Sequence, residues 1–230
     1  SSMTSLAENL IPLKNLRPPK TRYLKSVKPP SPNMLKRGKQ NAKLGDKVTV
    51  KMWKGMTIYS LTLEERATCP FDCEQWDNCY GDNMPFGHRF DHTDPQFWSH
   101  LHTALDQLNT KHQNGFIVRL HVLGDFVDID YIERWLSCLE HYPNLHVFGY
   151  THHRLNSELG RKINKGNKSM FERWRIRFSD DLNTEFSAHV ASDTTTTGGI
   201  MCPEQQGWTD SCATCGYCWT SENPVVFIGH

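Results

Sequence analysis

Long apolar runs are missing from this 230-residue chain. No stretch approaches the about 18 consecutive apolar residues of a membrane-spanning helix, so no such helix is expected. Acidic residues are almost absent from the first 55 positions, where only Glu8 and Asp46 face 13 Lys and Arg, net +11; the rest of the chain carries 13 against 23, net −10. Cysteine is absent before Cys69. With 37% hydrophobic, 11% aromatic and 22% charged residues, disorder and collagen-like repeats are excluded as descriptions of the whole. Met3 reads as a start with no positive-then-apolar leader behind it, so a cytoplasmic protein is expected.

Residues 1–44 read as a basic, Pro-rich N-terminal arm, with Pro18-Pro19, Pro29-Pro30 and Pro32. Its charge fits either nucleic-acid phosphates or the chain's own acidic remainder. Residues 45–230 read as a single α/β domain.

From Gly45 onward the periodicity alternates between strands and helices, the pattern of repeated βα units. Strands are expected at 57–63, 116–122, 145–150, 173–178, 186–191 and 225–229. Helices are expected from Asp94-Pro95 through Leu108, after an Asp128 cap as far as Pro143, and over 155–163. Six strands joined mostly by helices predict a parallel sheet curled into a partial (β/α)6 TIM-like barrel, with a doubly wound sheet as the alternative. In either architecture the segments that follow the strands share one face, where ligand sites form.

Two groups of cysteines fall on that face. Cys69, Cys73 and Cys79 follow the first strand; Cys202, Cys212, Cys215 and Cys218 follow the fifth. In a reducing compartment such grouping points to metal or cluster ligation rather than disulfides. The spacing of Cys212, Cys215 and Cys218 is that of thiolates wrapping a [4Fe–4S] cubane, with Cys202 as fourth ligand, while a four-cysteine zinc site fits the same residues. The first group has three local thiolates, which leaves a fourth position open to an outside ligand or to His88, His92 or Cys138. Cys138 lies on the apolar side of its helix and reads as a small core residue.

Other polar groups fall at strand ends. Gly124-Asp125 follows the second strand, His152-His153-Arg154 the third, Asp180-Asp181 the fourth, Ser192-Asp193 the fifth, and His230 ends the chain. Asp125, immediately behind a strand and a glycine, is a candidate catalytic or binding group. His121 alternates with apolar residues and is either a core histidine or a functional one; His152 is a candidate acid–base group or part of a solvated loop. Asp180-Asp181 suits a divalent metal or a helix cap, and His88-Arg89-Phe90-Asp91-His92 a lid.

The stretch 57–156, with a three-cysteine loop after strand one, a Gly-acid pair after strand two and a third strand entering the site, resembles the first βα units of a radical S-adenosylmethionine enzyme. More closely, Leu61–Pro70, Asp77–Pro85, Arg119–Asp125 and Asn144–Tyr150 are similar to the phage and prophage "gene product 88" domain family, over about residues 42 to 219. That resemblance implies a phage or bacterial origin. The radical-enzyme resemblance implies that Cys69, Cys73 and Cys79 bind a [4Fe–4S] cluster that chelates S-adenosylmethionine. It also implies that Gly124 and Asp125, beside Tyr150, contact that molecule, and that an electron donor drives sulfonium cleavage to a 5′-deoxyadenosyl radical. The sequence departs from that superfamily in the gap between Cys73 and Cys79, in Asn78 before Cys79, and in Leu123-Gly124-Asp125 where it has Gly-Gly-Glu. The competing reading is a zinc-stabilised nucleic-acid-binding protein or nuclease whose basic arm contacts phosphates.

Overall fold

The computed structural model describes residues 20–21, 23–38, 45–49, 52–70, 79, 87–179, 187–191, 200–201 and 225–228. Alternating apolar residues on Thr57–Leu61 (β3), Phe116–Leu120 (β5), Leu145–Thr151 (β6) and Trp174–Ser179 (β7) bury both faces of each strand. Near-continuous apolar runs of this kind belong to parallel sheets covered on both sides. With Ser187–Ala191 (β8) and Val225–Ile228 (β10) they form a parallel array in the order β3-β5-β6-β7-β8-β10, which follows the chain. Two short strands complete an eight-stranded sheet: Lys36–Arg37 (β2), antiparallel to β3, and Ile200–Met201 (β9), parallel to β10. No pairing between β2 and β9 closes the sheet among the described residues. The fold is mixed α/β with a parallel sheet, and the chain-ordered strands exclude a doubly wound order for this array.

Helices Phe97–Lys111 (α1), Ile129–His141 (α2) and Glu158–Ser169 (α3) connect β3 to β5, β5 to β6 and β6 to β7. Asp128 Oδ1 accepts the Tyr131 amide at 2.8 Å and caps α2, as its sequence position predicts. Ser157 Oγ does the same for α3 by accepting the Gly160 amide at 3.0 Å, so that helix starts and ends later than the expected 155–163. The helix α1 begins at Phe97, two residues after Pro95, because Asp94 Oδ1 holds the Gln96 amide in a preceding turn.

All three helices pack on one sheet face. Phe97, Leu101, Leu105, Ile132, Trp135, Leu139 and Ile163 share a core with Leu61, Val118, Leu120, Val147, Ile176 and Phe178. Cys138 is part of it, and burial pushes its thiol up to about 12, as befits a small core residue. The opposite face carries a smaller cluster of Val48, Trp53, Ile58, Ile117 and Phe148. Trp53 anchors it by donating Nε1 to the Glu172 carbonyl at 3.0 Å.

Part of the basic arm lies against the body. Its strand Val27–Lys28 (β1) pairs in parallel with Arg89–Phe90 (β4), and β2 extends the main sheet. Arg37 grips Asp46 in a two-pronged contact at 3.0 and 2.7 Å. Among the described residues no helix is long and apolar enough to cross a membrane.

Candidate functional site at the strand ends

The C-terminal ends of β3, β5 and β6 are joined by one buried carboxyl group. Asp125 is 1% exposed. Its Oδ1 accepts from the Thr151 hydroxyl at 2.8 Å and the Phe126 amide at 2.7 Å, and its Oδ2 accepts from the His152 amide at 2.7 Å. The Asp125 amide in turn donates to Thr68 Oγ1 at 3.0 Å, one residue before Cys69. A buried carboxyl group is tolerated only where donors surround it. Segments far apart in sequence supply them here. The preceding Gly124 has φ +84°, and a Cβ there would meet Thr68 Oγ1 at 2.6 Å and Leu63 Cβ at 2.8 Å. Glycine is needed for both the left-handed turn and the close approach.

With its oxygens engaged by the protein, Asp125 acts as a positioning group. It fixes the segment that holds His152, whose side chain is 31% exposed and whose Nδ1 stands 3.8 Å from Asp125 Oδ2. His153 is turned away: its Nε2 donates to the Phe126 carbonyl at 2.6 Å. Cys69 and Cys79 are half-buried. Cys73 and the second group, Cys202, Cys212, Cys215 and Cys218, lie outside the described residues, as do Asp180-Asp181, Ser192-Asp193 and His230. Among the described residues no three His, Cys, Asp or Glu side chains are grouped to hold a metal ion.

His121 is placed on the helix side of the sheet. Its ring packs 5.0 Å from the Phe126 ring, and Nε2 bonds the Tyr131 hydroxyl at 2.7 Å. Burial lowers its pKa to about 3, with Arg119 and His92 adding to the effect, so the ring is neutral at physiological pH. Among the described residues its buried Nδ1 has no hydrogen-bond partner. The structure therefore brings Gly124, Asp125 and His152 together and sets His121 behind them, in the core.

Tyr150 is half-buried beneath the Arg119 guanidinium, 5.4 Å from the ring centroid. The short His88–His92 segment contributes a buried ion pair rather than a solvated lid at Arg89, which binds Glu65 at 2.6 and 3.1 Å, both side chains essentially inaccessible. Thr21 donates its hydroxyl to the same carboxylate, and the Tyr23 ring lies 5.3 Å from the Arg89 guanidinium. The arm is thus stapled beside the first cysteine loop. Thr68, Thr151, Glu65 and Arg119 are functional neighbours that the sequence pattern does not single out. Only the adjacency of Thr68 to Cys69 and of Thr151 to His152 signals two of them.

No curated protein matches the chain, nor does any solved structure. The family model for gene product 88 matches residues 33–179. That span holds Cys69, Cys73, Cys79, Asp125 and His152 and stops short of the second cysteine group, whereas the resemblance drawn from the sequence extends to about residue 219. Since most of the chain is matched, including every strand and helix that frames the buried carboxyl group, the chain belongs to the gene product 88 family.

Proposed function

We propose that this protein is an iron–sulfur enzyme resembling the radical S-adenosylmethionine class, with Cys69, Cys73 and Cys79 as cluster ligands and the parallel sheet curled as a partial barrel. The observation that carries this reading is the Thr68–Asp125 hydrogen bond. It ties the start of the cysteine loop to the turn after the neighbouring parallel strand, at the sheet edge where α/β proteins build their sites.

The donor set suits the group. Thiolates are the usual ligands of iron–sulfur clusters, and Cys69 and Cys79 are half-buried rather than sealed in the core as Cys138 is. When bound, the cluster would supply an electron to the sulfonium of S-adenosylmethionine. The chain's own work is to hold that edge. Asp125 fixes the turns after β5 and β6, Gly124 lets the backbone approach Thr68, and His152 presents a partly exposed ring. Cys202, Cys212, Cys215 and Cys218 are proposed as ligands of a second cluster, on their spacing alone.

The test is anaerobic purification with iron, sulfide and zinc measured per chain, and spectra recorded with and without S-adenosylmethionine. Iron and sulfide with absorbance at about 400 nm, an electron-spin signal altered by S-adenosylmethionine, and loss of both in Cys69→Ala and Cys79→Ala are expected. A colourless protein with full zinc occupancy overturns the proposal and moves the cysteines to structural sites.

A further inference from the structure

The sheet face opposite the helices has two chemistries. Towards the strand starts it is apolar, closed by Val48, Trp53, Ile58 and Ile117. Towards the strand ends it turns cationic. Strand register sets Arg119 beside Ser60 and Phe148, Phe148 beside Arg175, and Tyr150 beside Arg177. Neighbours in register share a face, and Ile117 and Phe148 belong to the cluster on this one, so Arg119, Arg175 and Arg177 all lie on the helix-free side. Arg175 is 8% exposed and Arg177 fully buried, the latter donating Nη1 to the Ser187 carbonyl at 3.0 Å.

Three guanidinium groups on two adjacent layers of one sheet face are costly to bury without negative charge. Arg119 makes the point sharpest. Among the described residues its buried Nε has no hydrogen-bond acceptor, and its guanidinium lies over the face of Tyr150. A guanidinium is a planar fork of donors suited to bidentate contact with phosphate or carboxylate oxygens. Ser60 and Tyr150 flank it with hydroxyl groups, on the side of the sheet that leads to Asp125 and His152.

We infer that this face is an anion subsite, in which Arg119, backed by Arg175 and Arg177, binds a phosphoryl group of a small phosphorylated substrate. The inference names the substrate class for the site proposed above and rests on the reading of that sheet edge as its mouth.

Pyrophosphate serves as the probe, titrated calorimetrically into the full chain at constant ionic strength, with iron and sulfide measured on the same samples. Saturable binding is expected, weakened at least about 10-fold by Arg119→Gln and unchanged by Lys165→Gln on α3. Arg119→Lys, which keeps the charge and loses the fork, is expected between the two. If Arg119→Gln does not fold, the Arg119→Lys titration and the rise in wild-type Tm with pyrophosphate over matched chloride decide the matter. No binding, no Tm rise, or equal binding by the Arg119 variants overturns the inference. Displacement of pyrophosphate by S-adenosylmethionine also overturns it, because the arginine would then hold that molecule's carboxylate. Pyrophosphate binding absent from an iron-loaded protein sinks the subsite alone. Binding intact in a protein without iron supports the subsite while the cluster reading fails.

Discussion

Thr68 and Asp125 are 57 positions apart, yet the Asp125 amide donates to the Thr68 hydroxyl oxygen at 3.0 Å while that hydroxyl donates to the Glu64 carbonyl at 2.8 Å. One side chain thus binds the turn after β5 to the turn that opens the cysteine loop. Thr68→Val keeps the shape and strands both a buried amide and a carbonyl. An unmade buried hydrogen bond costs about 1–3 kcal/mol, so the unfolding free energy from urea titration should fall by that much. Asp125→Asn should cost a similar amount of stability, since its amide nitrogen would face the His152 N–H, donor against donor. An unchanged midpoint in both variants would show that this bond does not hold the site together.

Gly124→Ala tests the same junction by volume. The left-handed backbone costs a non-glycine residue about 1 kcal/mol. The Leu63 Cβ at 2.8 Å has no flexible end with which to retreat, and overpacking adds about 1–3 kcal/mol. The expected result is a loss of about 2–4 kcal/mol by thermal or denaturant unfolding. Restoring room with Leu63→Ala in the same chain should recover little, because the backbone conformation is still wrong for alanine.

How far these relationships can be read from the sequence depends on their range along the chain. The six parallel strands and three helices are written locally: Phe116 through Leu120 is a buried apolar run, and the Asp128 cap precedes Tyr131, Ile132, Trp135 and Leu139 at helical spacing. Asp125 and His152 also announce themselves, each directly behind a strand. Their mutual contact does not, because it depends on β5 and β6 lying side by side. The short strands β1, β2, β4 and β9 are illegible for the same reason. Two residues such as Lys36–Arg37 have no period, and only β3 beside them makes them a strand. His121 shows the opposite difficulty: its place in the alternation is legible, but which face receives it is decided by Phe126 and Tyr131.

The Glu65–Arg89 pair is expected to behave as a buried ion pair rather than a surface one. Both side chains are shielded from water, and the carboxylate also receives Thr21. Glu65→Ala leaves the guanidinium buried without its partner, at a cost of about 3–5 kcal/mol. Replacing both, as Glu65→Leu with Arg89→Met, should cost clearly less than the sum of the single changes. A double-mutant cycle in urea reads this directly. Additive losses would mean that the pair is not coupled.

His121 gives the protein an acid limit. Folded, the buried ring resists protonation down to about pH 3; unfolded, it protonates near the ordinary histidine value of 6.5. Between these values the unfolded chain holds the extra proton, so stability rises with pH through this window and is lost as pH falls through it. One fully linked proton corresponds to about 1.4 kcal/mol per pH unit. His92, His102, His112 and His146 are lowered by burial too and add to the same slope. In His121→Phe the Tyr131 bond and the buried Nδ1 disappear together, and the variant should be less sensitive to acid than the wild type by up to one proton. Urea unfolding at intervals from about pH 7 to about pH 4 measures the slope. Parallel curves for the two proteins would show that His121 is charged in the folded state, contrary to its placement between Phe126 and Tyr131.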